Sequence, residues 1–379
     1  MLHANITIRN IRHSRNWVEE CPRRAHNSRT ILLGGILFIR NAWYVVAWDF
    51  EVLADTILER TILGESVIVY RTGDGVPIVM ENRCCHRAAP LALGRKEGDR
   101  IRCMYHGLQF GPDGVCVEIP GQDRIPLMAR VKTFPVVQRT RLIWVWMGDV
   151  QKADAALIPD TFSVHHPAWR TKPGYKRFAA NILLLTDNLL DFSHLSYVHE
   201  GTLGGTAAIA EAPQEVSGLD QKGIHIRRRV NNTTPAPYHR RLGNFSGLVN
   251  RWWEYSLSVS GMFIMNSGVQ SAEKPEGDLE GALLFHSCQA LTPETMDSTH
   301  YFFSHAHNFG LDDPTITEAT YQSIVLAFDE DKRMIEAQRG VLAKDPTREM
   351  VHIAADGPVI RYRRLVKAAL AAELPIGAT

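Results

Sequence analysis

Residues 84–106 read CCHRAAPLALGRKEGDRIRCMYH and hold two cysteine–histidine pairs, Cys84-x-His86 and Cys103-x-x-His106. Thiolates suit iron–sulfur clusters or zinc, and imidazoles in place of two thiolates on one iron raise a cluster's potential. A structural Cys₂His₂ zinc site usually keeps its cysteines in one pair and its histidines in another. Here each loop mixes one of each. That puts both cysteines on one iron and both histidines on the other iron of a [2Fe–2S] cluster. Reading the first pair as Cys-x-His makes Cys84 the ligand and Cys85 the spacer.

Outward from this stretch, the chain between NAWYVVAW (41–48) and LIWVWMGD (142–149) consists of short apolar or alternating runs broken by turn signals. SVIVY and VPIVM flank RTGDG at 71–75, a hairpin pattern, and GPDG at 111–114 is a second turn. A small all-β domain is predicted over 38–150. VQKADAALIPD at 150–160 is the linker candidate, and 151–379 forms a second domain. There NILLLTDNLLDFSHLSYVH (181–199) lacks turn residues and reads as helix. GIHIRRRV, WWEYSLSVSGMFIM, ALLFHSCQAL and STHYFFSHAHNF read as strands. A long helix begins at DDPTITEA, with Asp313 as cap and Pro314 at the first helical position, and runs to about Leu342. An antiparallel sheet gripping a long C-terminal helix makes the fold class α+β.

The 379 residues are 45% hydrophobic and 22% charged, enough for two ordinary cores. Forty-two Lys plus Arg against forty-one Asp plus Glu leave +1, so no global field points to nucleic acid or an anionic membrane. ILLGGILFI at 31–39 falls far short of the ~20 residues a spanning helix needs. Residues 1–40 hold seven arginines and two glutamates, and 1–37 reads as a loosely ordered basic extension. Six cysteines, two of them adjacent, are too few for a disulfide scaffold, which makes the cytoplasm the expected location.

A second metal signal lies in the leucine-rich segment, where Asn188, Asp191, His194 and His199 crowd together. Two histidines and one carboxylate with open positions form the facial triad of non-haem Fe(II) sites. On an ideal helix, at 100° per residue, His194 and His199 stand about 140° apart, too wide for one metal. A distorted turn between them is therefore predicted. FDEDKRMIEAQ at 328–338 offers Asp329, Glu330 and Asp331 as the carboxylate. Asp331 shares the stripe of Ile324, Phe328 and Ile335, which leaves Asp329 and Glu330 on a solvated face.

Residues 84–106 with the GLQF that follows resemble the Rieske motif of ring-hydroxylating and dealkylating oxygenases. The segment 188–199 fits Asn/Asp-x₂-Asp-x₂-His-x₄-His, the mononuclear-iron motif of the same Rieske non-haem iron oxygenases. LTPET, HYFF, NFGLDDP and the EDK at 330–332 resemble the vanillate O-demethylase-like branch; Leu108, where many relatives carry Trp, is the one departure noted. The resemblance implies an N-terminal Rieske domain and a helix-grip catalytic domain. It implies a [2Fe–2S] cluster on Cys84, His86, Cys103 and His106, and Fe(II) on His194, His199 and Asp331. Asn188 and Asp191 would serve catalysis, Asp191 by orienting His194 and reaching the partner subunit's His106 in a homotrimer. Cys85 and Cys116 are expected as thiols.

With no GxGxxG after a strand, electrons must come from a ferredoxin or an NAD(P)H-dependent reductase. The implied reaction is O₂-dependent hydroxylation of an O- or N-alkyl group of an aromatic substrate, with dealkylation following. The alternatives are a ring or steroid hydroxylating or cis-dihydroxylating oxygenase, and a Rieske electron carrier with a binding domain. Gln289, His305, His307, Asn308 and Gln322 are candidates to line the pocket. No arginine stands among them, so a small neutral aromatic substrate is favoured.

Overall fold

The computed structural model describes residues 38–374 apart from 221, 244 and 276, so the basic extension over 1–37 lies outside the described residues. From Trp43 to Trp146 the described elements are strands apart from two 3₁₀ turns, Asp49–Glu51 and Leu91–Leu93. β1 (Trp43–Trp48), β10 (Val136–Arg139) and β11 (Leu142–Trp146) make one antiparallel sheet. β2 (Leu58–Ile62), β3 (Glu65–Arg71), β4 (Pro77–Glu81) and β9 (Thr133–Phe134) make a second. The 71–75 turn is the expected hairpin link, with Gly75 at φ +81° and its N–H bonded to the Thr72 carbonyl at 2.9 Å. β5 (Arg95–Glu97), β6 (Arg100–Arg102), β7 (Gln109–Phe110) and β8 (Cys116–Glu118) form a third, smaller sheet. Ile68, Tyr70, Met80, Leu91, Ile101 and Phe110 pack with Cys84 and Cys103 in one core.

Residues 150–160 contain two 3₁₀ turns, capped by Asp149 onto the Gln151 N–H and by Asp154 onto the Ala156 N–H. Beyond them lies a seven-stranded antiparallel sheet of β12 (Gly174–Phe178), β13 (Gln214–Gly218), β14 (Gly223–Thr233), β15 (Val249–Ser258), β16 (Met262–Ser271), β17 (Leu283–Thr295) and β18 (Ser298–His307). Its spatial order is β12-β18-β17-β16-β15-β14-β13. The strand expected over 252–265 is the hairpin β15–β16. It turns at Gly261, whose φ is +92° and whose Cβ would stand 2.6 Å from the Leu291 carbonyl oxygen, so only glycine fits.

One face of this sheet packs on the first domain's tryptophans. Trp43, Trp48, Trp144 and Trp146 share a core with Met262, Cys288, Ala290 and Phe302. The backbone bond from Leu63 N–H to Pro293 O, 2.8 Å, pins the contact. The other face is covered by α1 (Ile182–Leu190), the one-turn α2 (Ala208–Glu211), the short α3 (Pro237–Leu242), α4 (Pro314–Lys344) and α5 (Gly357–Ala372). Being covered on both sides, β18 is buried along its whole length, whereas β15 alternates strictly. α4 is the gripped helix, with Asp313 accepting from Thr315 N–H at 2.9 Å and Pro314 in the first turn, as expected. The helix predicted over 181–199 stops at Leu190. α5 has no counterpart in the sequence expectation and is tied to α1 by the Arg363–Asp187 ion pair. Among the described residues no helix is long and apolar enough to cross a membrane.

Candidate metal centres and their cavity

The loops bearing the two cysteine–histidine pairs are built alike. Cys84 N–H bonds to Ala89 O and Ala88 N–H returns to Cys84 O; Cys103 N–H bonds to Leu108 O and Gly107 N–H returns to Cys103 O, all within 2.8–3.0 Å. Each loop closes through a residue at positive φ, Ala88 at +56° and Gly107 at +79°. This equivalence pairs Cys84, not Cys85, with Cys103. Cys84 and Cys103 are 2% and 1% exposed, while Cys85 lies on the surface. Burial, with the Cys103 thiol alongside, pushes the Cys84 thiol up to about 11, so the sulfur keeps its proton until a metal displaces it and binds the thiolate. His86 and His106 are exposed, with ring centroids 4.6 Å apart. Two thiols inside and two imidazoles outside fit a [2Fe–2S] group held at the domain surface.

In the second domain α1 ends where Asp191 takes over as cap. A 3₁₀ turn, Phe192–Ser196, then carries His194, and two further turns bring His199 round. The distortion predicted between the histidines is thus present. His194, His199 and Asp331 form a cluster whose ligating atoms lie within 4.8 Å of one another. His199 Nε2 stands 3.0 Å and His194 Nε2 3.5 Å from Asp331 Oδ1. Asp331 is buried beside Phe328 and Ile335, as the stripe predicts, while Asp329 points outward to Lys176. Each imidazole has its other nitrogen occupied: His194 Nδ1 by the Asp191 carbonyl oxygen at 2.5 Å, His199 Nδ1 by Glu330 Oε2 at 2.7 Å. Such partners fix the tautomer and leave both Nε2 lone pairs for a metal. Burial outweighs Asp331 at His194 and lowers its pKa; at His199 burial is overcome by Asp331 and Glu330, and the pKa rises.

Two sequence readings need correction here. Glu330 does not belong to a solvated face, because it accepts from both His199 and Thr202 Oγ1, each at 2.7 Å. Asp191 touches His194 through its main-chain carbonyl. Its carboxylate Oδ1 accepts from Ser193 N–H at 2.9 Å and from Ser193 Oγ. Asn188 donates to Asp331 Oδ1 at 3.0 Å and so positions the acid.

All three candidate ligands open onto one cavity, walled by Leu189, Phe192, Trp253, Phe263 and Ile324. Gln289 and His305 line it as expected. Gln289 is already engaged, accepting from Tyr301 and donating to Ser287. His307, Asn308 and Gln322 do not line it. His307 shares the face of His305 but lies beyond the cavity, bonded to Phe309 O and Thr317 Oγ1; Asn308 caps Leu284 N–H; Gln322 is exposed and donates to Glu318. Arg251, which sequence reasoning passed over, does line the cavity and is 1% exposed. It removes the premise for a neutral substrate. The signal was legible: Val249, Arg251, Trp253, Tyr255 and Leu257 share the inward parity of β15, and Arg251 is the charged member.

Residues 42–135 match the Rieske [2Fe-2S] domain family, and residues 178–372 match the vanillate O-demethylase oxygenase C-terminal domain family. The chain is 45% identical over 345 residues to the iron-sulfur subunit of the toluene-4-sulfonate monooxygenase system of Comamonas testosteroni, covering 89% of this chain and 98% of that one. It is 38% identical over 308 residues to the oxygenase component of dicamba O-demethylase of Stenotrophomonas maltophilia, covering 79% and 88% respectively. The crystal structure of dicamba monooxygenase with non-heme iron and dicamba superposes with a TM-score of 0.72 at 30% identity, over 89% of this chain and 98% of that one.

Proposed function

Because the chain belongs to the Rieske non-haem iron oxygenases, as an oxygenase component of the vanillate O-demethylase type, we propose that it hydroxylates an O- or N-alkyl group of an aromatic substrate and so releases the alkyl carbon as an aldehyde. The observation that carries this reading is the His194–His199–Asp331 cluster opening onto a largely apolar cavity. When bound, the [2Fe–2S] cluster supplies single electrons and the mononuclear iron activates O₂. The chain's own residues hold and aim. Cys84, His86, Cys103 and His106 hold the cluster; His194, His199 and Asp331 hold the iron.

Asn188 keeps Asp331 turned to the histidines, and Glu330 with the Asp191 carbonyl keeps both imidazoles in one tautomer. The aromatic wall of Phe192, Trp253 and Phe263 excludes water and orders an aryl ring. Oxygen insertion consumes O₂, two electrons and two protons and yields water with the hydroxylated substrate. A hemiacetal or hemiaminal product then collapses to aldehyde and a phenol or amine. A second reading is favoured by the toluene-4-sulfonate relative, because the alkyl group of that compound is on carbon and insertion there stops at the alcohol.

The electron source is a separate ferredoxin or NAD(P)H-dependent reductase, and dependence on a nicotinamide donor suits a cytoplasmic location. A homotrimer fits the exposure of His86 and His106, since a ring of head-to-tail contacts brings each cluster to a neighbour's Asp191. The test is turnover of N- and O-methyl aromatics with a generic reductase under ¹⁸O₂. Formaldehyde with one labelled oxygen supports the reading; a product bearing two labelled oxygens on the ring refutes it.

A further inference from the structure

Arg251 is a buried cation without an anion. Its side chain lies on the cavity-facing side of β15, opposite Val269 of β16 and Val230 of β14 and two residues before Trp253. Two backbone carbonyls, Leu203 and Gly204, accept from Nη2 and Nη1 at 2.6 Å each, and the guanidinium lies 4.8 Å over the Trp253 ring. These contacts fix the plane of the group but leave its charge. Among the described residues Arg251 makes no ion pair, and Nε, which can only donate, has no partner. Burial lowers its pKa to about 10, so it stays charged at neutral pH even there.

Two more orphaned nitrogens stand beside it. His305 lines the same cavity, its ring stacked on Phe285 at 5.0 Å between centroids and its Nε2 buried without a partner, and His239 Nδ1 is buried next to both groups. Burial drops His305 to about 3 and His239 well below the usual range, so both are neutral, and the tautomer with its proton on the orphaned nitrogen gives each one N–H to offer. A buried charge or donor without a partner is disfavoured by an amount rarely left standing in a folded protein. The nearby carboxylates do not answer it, since Asp331 and Glu330 are engaged with the metal-site histidines. The missing partner is an anion that arrives with the ligand.

We propose that Arg251, with His305, forms an anion-recognition subsite in the cavity, and that the substrate is an aromatic compound bearing a carboxylate or sulfonate group. The proposal rests on the oxygenase reading and adds to it the charge of the substrate and the residue that reads it. The aryl ring spans the apolar wall, the anionic oxygens accept from Arg251, and the alkyl group is left for the metal end.

The test is equilibrium binding to the holoenzyme without reductant, by calorimetry, of two matched pairs. These are 4-methylbenzenesulfonate with methyl 4-tolyl sulfone, and 4-methoxybenzoate with 4-methoxyacetophenone. At least one anion is expected to bind ~10-fold or more tightly than its uncharged partner, since hydrogen bonds to a charged group contribute more than neutral ones. The tighter of the two anions assigns the head group. Arg251→Met is expected to bring that ratio to about one while leaving the uncharged partner's affinity alone. His305→Phe, which keeps the stacking on Phe285, is expected to lower the anion's affinity ~10-fold or more, the value of one hydrogen bond to a charged group, and to leave the uncharged partner's affinity less changed.

Equal binding of charged and uncharged partners by the unmodified enzyme, or no saturable binding of either anion, overturns the proposal. So does an Arg251→Met variant that weakens both members of a pair alike, which would make the arginine a structural clamp on Leu203–Gly204. Should Arg251→Met not fold, the unmodified enzyme and His305→Phe decide. Failure of the oxygenase reading is read elsewhere, as the absence of a third iron per chain beyond the two of the cluster.

Discussion

Replacing Glu330 separates a residue that positions a metal ligand from one that merely decorates a helix. Its Oε2 accepts from His199 Nδ1 and from Thr202 Oγ1, each at 2.7 Å, and its side chain is 20% exposed. Glu330→Ala removes both bonds, frees the imidazole to rotate, and strands the buried Thr202 hydroxyl. Outer partners of ligating histidines are worth about 10–100-fold in metal affinity, or ~1.4–2.7 kcal/mol. With two short bonds lost from a mostly buried acid, the alanine variant belongs near the upper end of that range. Glu330→Gln keeps one carbonyl oxygen able to accept from both partners and loses only the charge, so it belongs near the lower end. The assay is Fe(II) or Co(II) titration of protein freed of its mononuclear metal, with the visible spectrum of the [2Fe–2S] cluster as an internal control that should not change. A Glu330→Ala variant that binds metal as tightly as the unmodified protein refutes the reasoning, as does a loss of the cluster spectrum along with the iron.

The two loops give a second expectation: Cys84→Ser abolishes the cluster spectrum and Cys85→Ser leaves it, and the opposite result would break the equivalence of Cys84 with Cys103. Asp331→Ala loses the mononuclear iron and keeps the cluster, whereas Asp329→Ala, which breaks only the outward pair with Lys176, changes neither; iron analysis per chain checks both. Asp191→Asn should retain both metals and a reducible cluster yet turn over too slowly to detect, and near-normal aldehyde release would remove Asp191 from the electron path. Stability should fall with acid, because burial holds His286 at about 4 and His305 at about 3. A folded pKa below the unfolded ~6.5 means that the unfolded state takes up the proton first. The stability is therefore present above pH ~6.5 and lost as pH falls toward 4, by about 1.4 kcal/mol per pH unit for each such histidine. Denaturant titrations between pH 4.5 and 6 should show His286→Phe with a slope shallower by that amount; an unchanged slope argues that His286 is not buried and neutral.

The local chemistry of this protein is written in its sequence. The mixed Cys/His loops, the 140° misfit that demands a distorted turn after Leu190, and the Asp313–Pro314 start of α4 each follow from neighbours a few residues apart, because turns, caps and helix faces are short-range consequences of backbone geometry. The stripe through Ile324, Phe328 and Ile335 likewise pointed to Asp331 over Asp329, since one helix can bury only one face. What the chain alone left open are the meetings of distant residues. Glu330 sits 100° round the helix from Asp331, and nothing in the helix says that His199 and Thr202 fold back to meet it. His307 shares the parity of His305, and only the length of the cavity along β18 separates the residue that faces the ligand from the one that bonds Phe309 and Thr317. Arg251 could have been marked as a charge on an inward face. Its meaning came only when the sheet, α3 and the Leu203–Gly204 loop closed around it, because whether a cation is paired depends on every element packed against it and not on its own strand.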